Sequence, residues 1–213
     1  MKLYGFPLSP FVRKVMVTLH EKGLAYDLVP ANPNQPSEEF LKVSPFSKIP
    51  ALSDGDFCLA DSTAIVTYLE AKHPEPPLLP PEPKARGRAI WFEEVADTVL
   101  IPAGAPIVIN RFLRPQIFGT EGDEAAAKAG EEAVIKPLDY LEGELGEGEW
   151  LDESYSIGDL SVACTIKTLG YAGWSLDSAR YPRIAAWYDR VCARDAWQAA
   201  AAEEAAIFAR LGS

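Results

Sequence analysis

Apolar and polar positions change rhythm once along the chain. Residues 2–6 form a short apolar run suited to a buried strand. Ser9 and Pro10 follow, the pairing expected of an N-cap and a first helical residue. Val12, Val15, Met16 and Leu19 then recur at i, i+3, i+4 and i+7, one apolar stripe of a helix, and Gly23 fits its stop. Residues 25–29 return as a second strand. That makes a βαβ unit with parallel strands and a right-handed crossover. Residues 37–43 read as a short helix. Residues 49–52 and 57–60 flank Ser53-Asp54-Gly55-Asp56, a hairpin signal. Asp61-Ser62 caps a further helix whose Ile65, Tyr68 and Leu69 face inward. The predicted order is β-α-β-α-β-β-α.

Six prolines then fall within the eleven residues 73–83, a density that neither a helix nor an interior strand survives. Beyond them only helical patterning remains, at about residues 84–101, 105–114, 123–145, 158–170, 182–193 and 196–211. Pro102, Pro106 and Pro115 interrupt the second of these and its approaches. The pattern therefore predicts an α/β domain over residues 1–80 and an all-helical domain over residues 84–213.

Composition narrows the function. Apolar residues make up 48% of the 213, enough for a substantial core. No run approaches the roughly 18–20 uninterrupted apolar residues that span a bilayer, and the start, with one lysine and a short run broken by Pro7, is too short for a signal peptide. A cytoplasmic protein is expected. The net charge of −11 repels phosphate backbones and anionic lipid, so neither nucleic acid nor membrane is an expected partner. Cys58, Cys164 and Cys192 form no CxxC pair. With His20 and His73 as the only histidines there is no metal-ligand spacing and no Cys-His catalytic pair, and the cysteines read as core residues in a reducing compartment.

Five collinear segments carry a resemblance. Phe6-Pro7-Leu8-Ser9-Pro10-Phe11-Val12-Arg13-Lys14-Val15 looks like the first strand-to-helix junction of cytosolic glutathione transferases. His20-Glu21-Lys22-Gly23-Leu24 follows at the usual place. Ser44-Pro45-Phe46-Ser47-Lys48-Ile49-Pro50-Ala51-Leu52 resembles the loop leading to the family's cis-proline, and Asp61-Ser62-Thr63-Ala64-Ile65 its third-helix start. Ser156-Ile157-Gly158-Asp159 resembles the capping motif of its helical domain. The pattern is nearest the serine-type classes, phi in particular. It implies a thioredoxin-like domain followed by an all-helical one, glutathione as co-substrate, no metal, and a homodimer. Phe46 stands where relatives often insert an aromatic into a partner subunit.

The chemistry expected follows from the co-substrate. A glutathione thiol has a pKa near that of free cysteine, about 8.5, so little of it is thiolate at neutral pH. A hydroxyl at a helix N-terminus favours the anion by hydrogen bonding and by the helix dipole. Ser9 is the candidate catalytic residue, although its local sequence also fits a plain N-cap. Serine cannot form a mixed disulfide, which argues against thiol-disulfide exchange at this position. Tyr4 is a second hydroxyl, read as strand packing. The resemblance implies that Ile49-Pro50 is cis and that the Ile49 backbone pairs with the cysteinyl part of glutathione. Ser62 would bind the γ-glutamyl carboxylate and Asp61 its ammonium, and Lys48 and Gln35 would serve the glycyl end. Many relatives have glutamate where Asp61 stands. Leu8, Phe11, Ile107, Phe112 and Trp174 are candidates for an apolar electrophile pocket, although residues of these types are more often plain core. Arg13 reads as a helix-surface residue without a role. The Ser156/Asp159 pair reads as a structural capping box.

The leading expectation is transfer of glutathione to a small hydrophobic electrophile, or reduction of a hydroperoxide. Rivals are a non-catalytic binding or regulatory protein on the same fold, and a zeta-type isomerase, which lacks here its serine- and cysteine-rich junction.

Overall fold

The computed structural model describes residues 1–211. Residues 212 and 213, at the end of the expected helical domain, lie outside the described residues. The chain divides into two compact units, residues 1–78 with 192–213, and residues 79–191.

In the first unit β1 (Lys2–Tyr4) is an inner strand of a four-stranded sheet ordered β2-β1-β3-β4. It pairs in parallel with β2 (Asp27–Val29), Lys2 opposite Asp27, across the crossover helix α1 (Pro10–Glu21). It pairs antiparallel with β3 (Ala51–Asp54), Tyr4 opposite Ala51. β3 turns at Gly55 into β4 (Phe57–Ala60), which brings Ala60 opposite Ala51. α2 (Glu38–Val43) and α3 (Ser62–Lys72) complete the predicted order. This register has a functional consequence. The end of β1, the beginning of β3 and the end of β4 lie at the same end of the sheet, so the starts of α1 and α3 meet there.

Successive residues of β1 face opposite sides. Leu3 is fully buried, as are Val12, Val15, Met16 and Leu19 of the predicted α1 stripe and Ile65 and Leu69 of α3. Tyr4 belongs to a second cluster with Phe40, Val43 and Ala51 and stacks on Phe40 at 6.1 Å between centroids. Tyr68 departs from its predicted inward position. It is half-buried, 4.8 Å from the Phe57 ring, and donates to Asp54 at 2.7 Å, because the sheet edge offers it an aromatic partner and an acceptor.

The start of the proline-rich stretch is tied to this unit by a buried ion pair. Lys22 Nζ lies 2.6 Å from Glu70 Oε1 and also donates to the carbonyls of His73 and Pro76, while Glu70 accepts from the Leu78 N–H at 3.0 Å. The last helix, α10 (Asp195–Leu211), packs on α1 in this same unit, although helical patterning alone grouped it with the other helices. Arg194 grips Glu21 with two bonds, at 2.6 and 2.9 Å, and Glu203 meets both His20 and Tyr26. Burial, together with the bond to Glu203 and its charge, pushes the Tyr26 phenol well above its ordinary range.

The second unit is helical throughout its regular structure. α4 (Pro83–Glu94) opens on Pro83 with Glu82 as its cap. It runs without a break through a π-helical segment Val95–Leu100, α5 (Ile101–Val108) and a second π-helical segment Ile109–Ile117. The sequence pattern placed a break between residues 101 and 105; none occurs. Pro102 falls at the step from the π-helical segment into α5, and Pro106 lies inside α5. Pro115 lies in the second π-helical segment, where wider turns replace the ordinary hydrogen-bond ladder. The expected single helix over residues 123–145 is instead α6 (Glu124–Ala133) and α7 (Ile135–Leu145), parted at Val134. α8 (Ile157–Gly170) approaches α4 so closely that a Cβ on Gly158 would stand 2.7 Å from Phe92 Cβ. α9 (Pro182–Cys192) follows. The predicted capping box is present: Asp159, fully buried, accepts from the Ser156 and Leu151 N–H groups and from Trp187 Nε1 at 2.7 Å. Burial holds its carboxyl above the usual carboxylate range, with those donors acting in the opposite direction.

Candidate active site

Three pieces of backbone converge at one end of the sheet. β1 runs into Gly5, where a Cβ would stand 2.5 Å from Val12 Cγ2 and 3.5 Å from Ile49 Cβ. Only glycine lets the first turn of α1 and the loop before β3 close on this point. The loop then turns at Ser9, whose N–H donates to the Phe6 carbonyl at 3.0 Å. Ser9 caps α1 as predicted, with extended backbone angles and Pro10 behind it. Its Oγ accepts from the Val12 N–H at 3.5 Å, a long bond, and among the described residues its own proton has no acceptor. The residue is partly exposed. A hydroxyl with a spare proton therefore stands at the positive end of a helix.

The second piece is the loop before β3. The Ile49-Pro50 bond is cis, as the resemblance implied. Ser44 Oγ exchanges hydrogen bonds with the backbone N–H and carbonyl of Lys48, at 2.9 and 2.8 Å, and so pins the loop. Among the described residues neither the Ile49 N–H nor its carbonyl is engaged. The Lys48 side chain is exposed, without an ion pair among those residues. Ser47 Oγ donates to the Pro33 carbonyl, linking this loop to the turn that carries the exposed Gln35.

The third piece is the start of α3. The Asp61 N–H donates to the Pro50 carbonyl at 3.2 Å, joining it to the second. Asp61 has φ 91°, a region that non-glycine residues seldom adopt and that recurs at functional sites. Its Oδ1 caps the helix through the Ala64 N–H at 3.0 Å. Ser62 is 3% exposed, and its hydroxyl has no partner among the described residues. Free N–H groups, a helix dipole and that hydroxyl suit an anion.

Ser9, Ile49, Pro50, Asp61 and Ser62 thus share one end of the sheet, and Lys48 borders them. Tyr4 has the packing part expected of it, its hydroxyl donating to Glu39 at 3.2 Å. Leu8 and Phe11 are half-buried beside Ser9 in the chain. In the other unit Ile107 is wholly buried, packed on Gly130 of α6, while Phe112 and Trp174 are half-buried and Phe112 stacks on Tyr171 at 5.6 Å. Arg13 is not the surface residue the sequence suggested. It is 3% exposed and bound to Glu204 of α10, 191 residues away, so no local pattern could have revealed it. No helix among the described residues is long and apolar enough to cross a membrane.

A thioredoxin-like sheet with a cis-proline just before β3, in a chain that continues as helices, defines the class: a two-part protein with an α/β unit and a helical one. Comparison with known proteins makes this specific. The family model described as "Glutathione S-transferase, N-terminal domain" matches residues 3–77, and "Glutathione S-transferase, C-terminal domain" matches residues 124–190. The chain belongs to the glutathione S-transferase family, and its activity class is that of a glutathione transferase. It is 34% identical to glutathione S-transferase 3 of Zea mays over 93% of this chain and 91% of that one. Among its relatives are plant phi-class transferases, in keeping with the resemblance. A solved glutathione S-transferase from Rhodospirillum rubrum superposes with a TM-score of 0.87 at 29% identity, over 93% of this chain and 90% of that one. A glutathione S-transferase-I bound with lactoylglutathione superposes at 0.83 with 28% identity, over 94% and 98%.

Proposed function

We propose that glutathione lies along the first domain, about residues 1–80, with its sulfur at Ser9 Oγ and its thiol ionised there. The supporting observation is the unspent proton of Ser9 at the start of α1. Lowering a thiol pKa by two units requires about 2.7 kcal/mol. A hydrogen bond to a charged group contributes about 1.5–3 kcal/mol and a helix terminus about 0.3–1 kcal/mol, a combined range that brackets the requirement. The Ile49 N–H and carbonyl pair with the cysteinyl backbone. Ser62 and the α3 N-terminus take the γ-glutamyl carboxylate, Asp61 its ammonium, and Lys48, with Gln35 nearby, the glycyl carboxylate.

The thiolate then attacks a small hydrophobic electrophile. A C–S bond forms from the sulfur lone pair, and a leaving group departs or a conjugated acceptor takes the electrons. Hydroperoxide reduction would use the same anion. This is detoxification chemistry. Leu8 and Phe11, half-buried beside Ser9 in the chain, are the apolar side chains the first domain offers the electrophile. The protein acts as a cytoplasmic homodimer. Three cysteines without a CxxC pair fit a reducing compartment, and Phe46, 85% exposed on its loop, fits insertion into a second subunit.

Conjugation of glutathione to chlorodinitrobenzene, compared between wild type and Ser9→Ala, tests the reading. Losing one donor to a developing anion predicts a rate fall of roughly 10²–10³-fold. A rate within a few-fold of wild type removes Ser9 from the mechanism.

A further inference from the structure

Arg13 lies four residues past Ser9 on α1, and its N–H donates to the Ser9 carbonyl at 3.0 Å. Two acceptors of its guanidinium bear on the site. Nη2 donates to the Pro7 carbonyl at 2.8 Å, and Nε donates to Glu204 Oε2 at 3.1 Å, with Nη2 also meeting that oxygen. Both side chains are buried, Arg13 3% and Glu204 5% exposed. Pro7 stands in the loop that ends at Ser9, and its only backbone hydrogen-bonding group is the carbonyl that Arg13 holds. A second fastening of the loop is the Ser9 N–H to the Phe6 carbonyl. A guanidinium is a rigid planar fork, so the position of Glu204 dictates where the arm toward Pro7 points.

We propose that Arg13 and Glu204 are a positioning pair, through which the last helix holds the Phe6–Ser9 loop so that the Ser9 hydroxyl faces the glutathione sulfur. The inference rests on the role given to Ser9 above. The arrangement sets the pair apart from the other contacts of α10. Glu203 reaches His20 and Tyr26, and Arg194 reaches Glu21, all beyond Arg13 toward or past the end of α1. Those contacts hold α10 in place, whereas the Glu204 contact continues through Arg13 to the loop that carries Ser9.

The test is an ultraviolet titration of bound glutathione thiolate against pH, in wild type, Ser9→Ala, Glu204→Gln and Arg13→Lys, alongside calorimetric glutathione affinity and thermal melting. Glu204→Gln removes the charge but keeps the shape. Arg13→Lys keeps a charge for Glu204 without the fork that reaches Pro7. Each is expected to raise the apparent thiol pKa by about half a unit to one unit, a three- to tenfold loss of thiolate below it. Glutathione affinity should stay within threefold. Titrations of both variants that overlay the wild type, whatever their melting temperatures, overturn the inference. When Ser9→Ala shifts the titration and these two do not, the positioning role falls and the Ser9 reading stands. When Ser9→Ala leaves it unmoved, both fall. Should Glu204→Gln fail to fold, Arg13→Lys decides.

Discussion

Replacing Glu70 with alanine should unfold the protein at much lower temperature without touching the proposed site. Lys22 is wholly buried at its side chain and Glu70 7% exposed, with 2.6 Å between charged atoms. Removing one partner of a buried pair leaves an uncompensated ammonium, at a cost of about 3–5 kcal/mol. The Leu78 N–H, which Glu70 accepts at 3.0 Å, loses its partner too, worth about 1–3 kcal/mol. Both losses come from one carboxylate and overlap, so we expect a total of about 4 kcal/mol. For a chain of this size that is about 8–16 °C in melting temperature. Thermal and urea unfolding followed by circular dichroism measure it. The double variant Lys22→Met with Glu70→Leu removes both charges together and should recover the part of the loss due to the unpaired ammonium, but not the part due to the Leu78 N–H, because apolar residues of similar volume replace buried ion pairs at little cost yet offer no acceptor. A Glu70→Ala loss below about 1 kcal/mol would refute the reasoning, since a buried unpaired charge cannot be that cheap.

Other expectations follow from single contacts. Gly5→Ala puts a methyl 2.5 Å from Val12 Cγ2; it should cost about 1–3 kcal/mol in urea unfolding and lower conjugation activity by displacing the Ser9 loop. Asp159→Ala leaves the Leu151 N–H and Trp187 Nε1 without an acceptor in the interior of the helical unit, so stability should fall by about 2–4 kcal/mol with a change in Trp187 fluorescence. Asp54 is held below its ordinary carboxylate value by bonds from Lys72 and Tyr68. A depressed folded-state value means that its contribution to stability is present above the unfolded value of about 3.8 and fades as pH falls through the folded one. Lys72→Met should therefore raise the Asp54 carboxyl titration seen by NMR and weaken the acid dependence of stability below about pH 4; an unmoved titration would refute the pairing.

What the sequence by itself determined is everything whose cause lies within one turn or one strand. The stripe of Val12, Val15, Met16 and Leu19, the Ser9-Pro10 helix start, the hairpin at Gly55 and the Asp61 cap each depend on neighbours a few residues away, and each stands where the pattern put it. Tertiary structure decided what those pieces do together. Antiparallel pairing of β3 with both β1 and β4 is what carries Pro50 and Asp61 to the end of the sheet where α1 begins. Arg13 reads as surface until Glu204 arrives from a remote helix, and the pairing of Lys22 with Glu70, 48 residues on, exists only in the fold. The prolines at 102, 106 and 115 are breakers by propensity, yet the chain continues as helix through them, where π turns and packing override the local preference. Local signals act through short-range sterics and hydrogen bonds. Partners distant in the chain become defined only when burial of apolar surface outweighs the entropy of closing the loops between them.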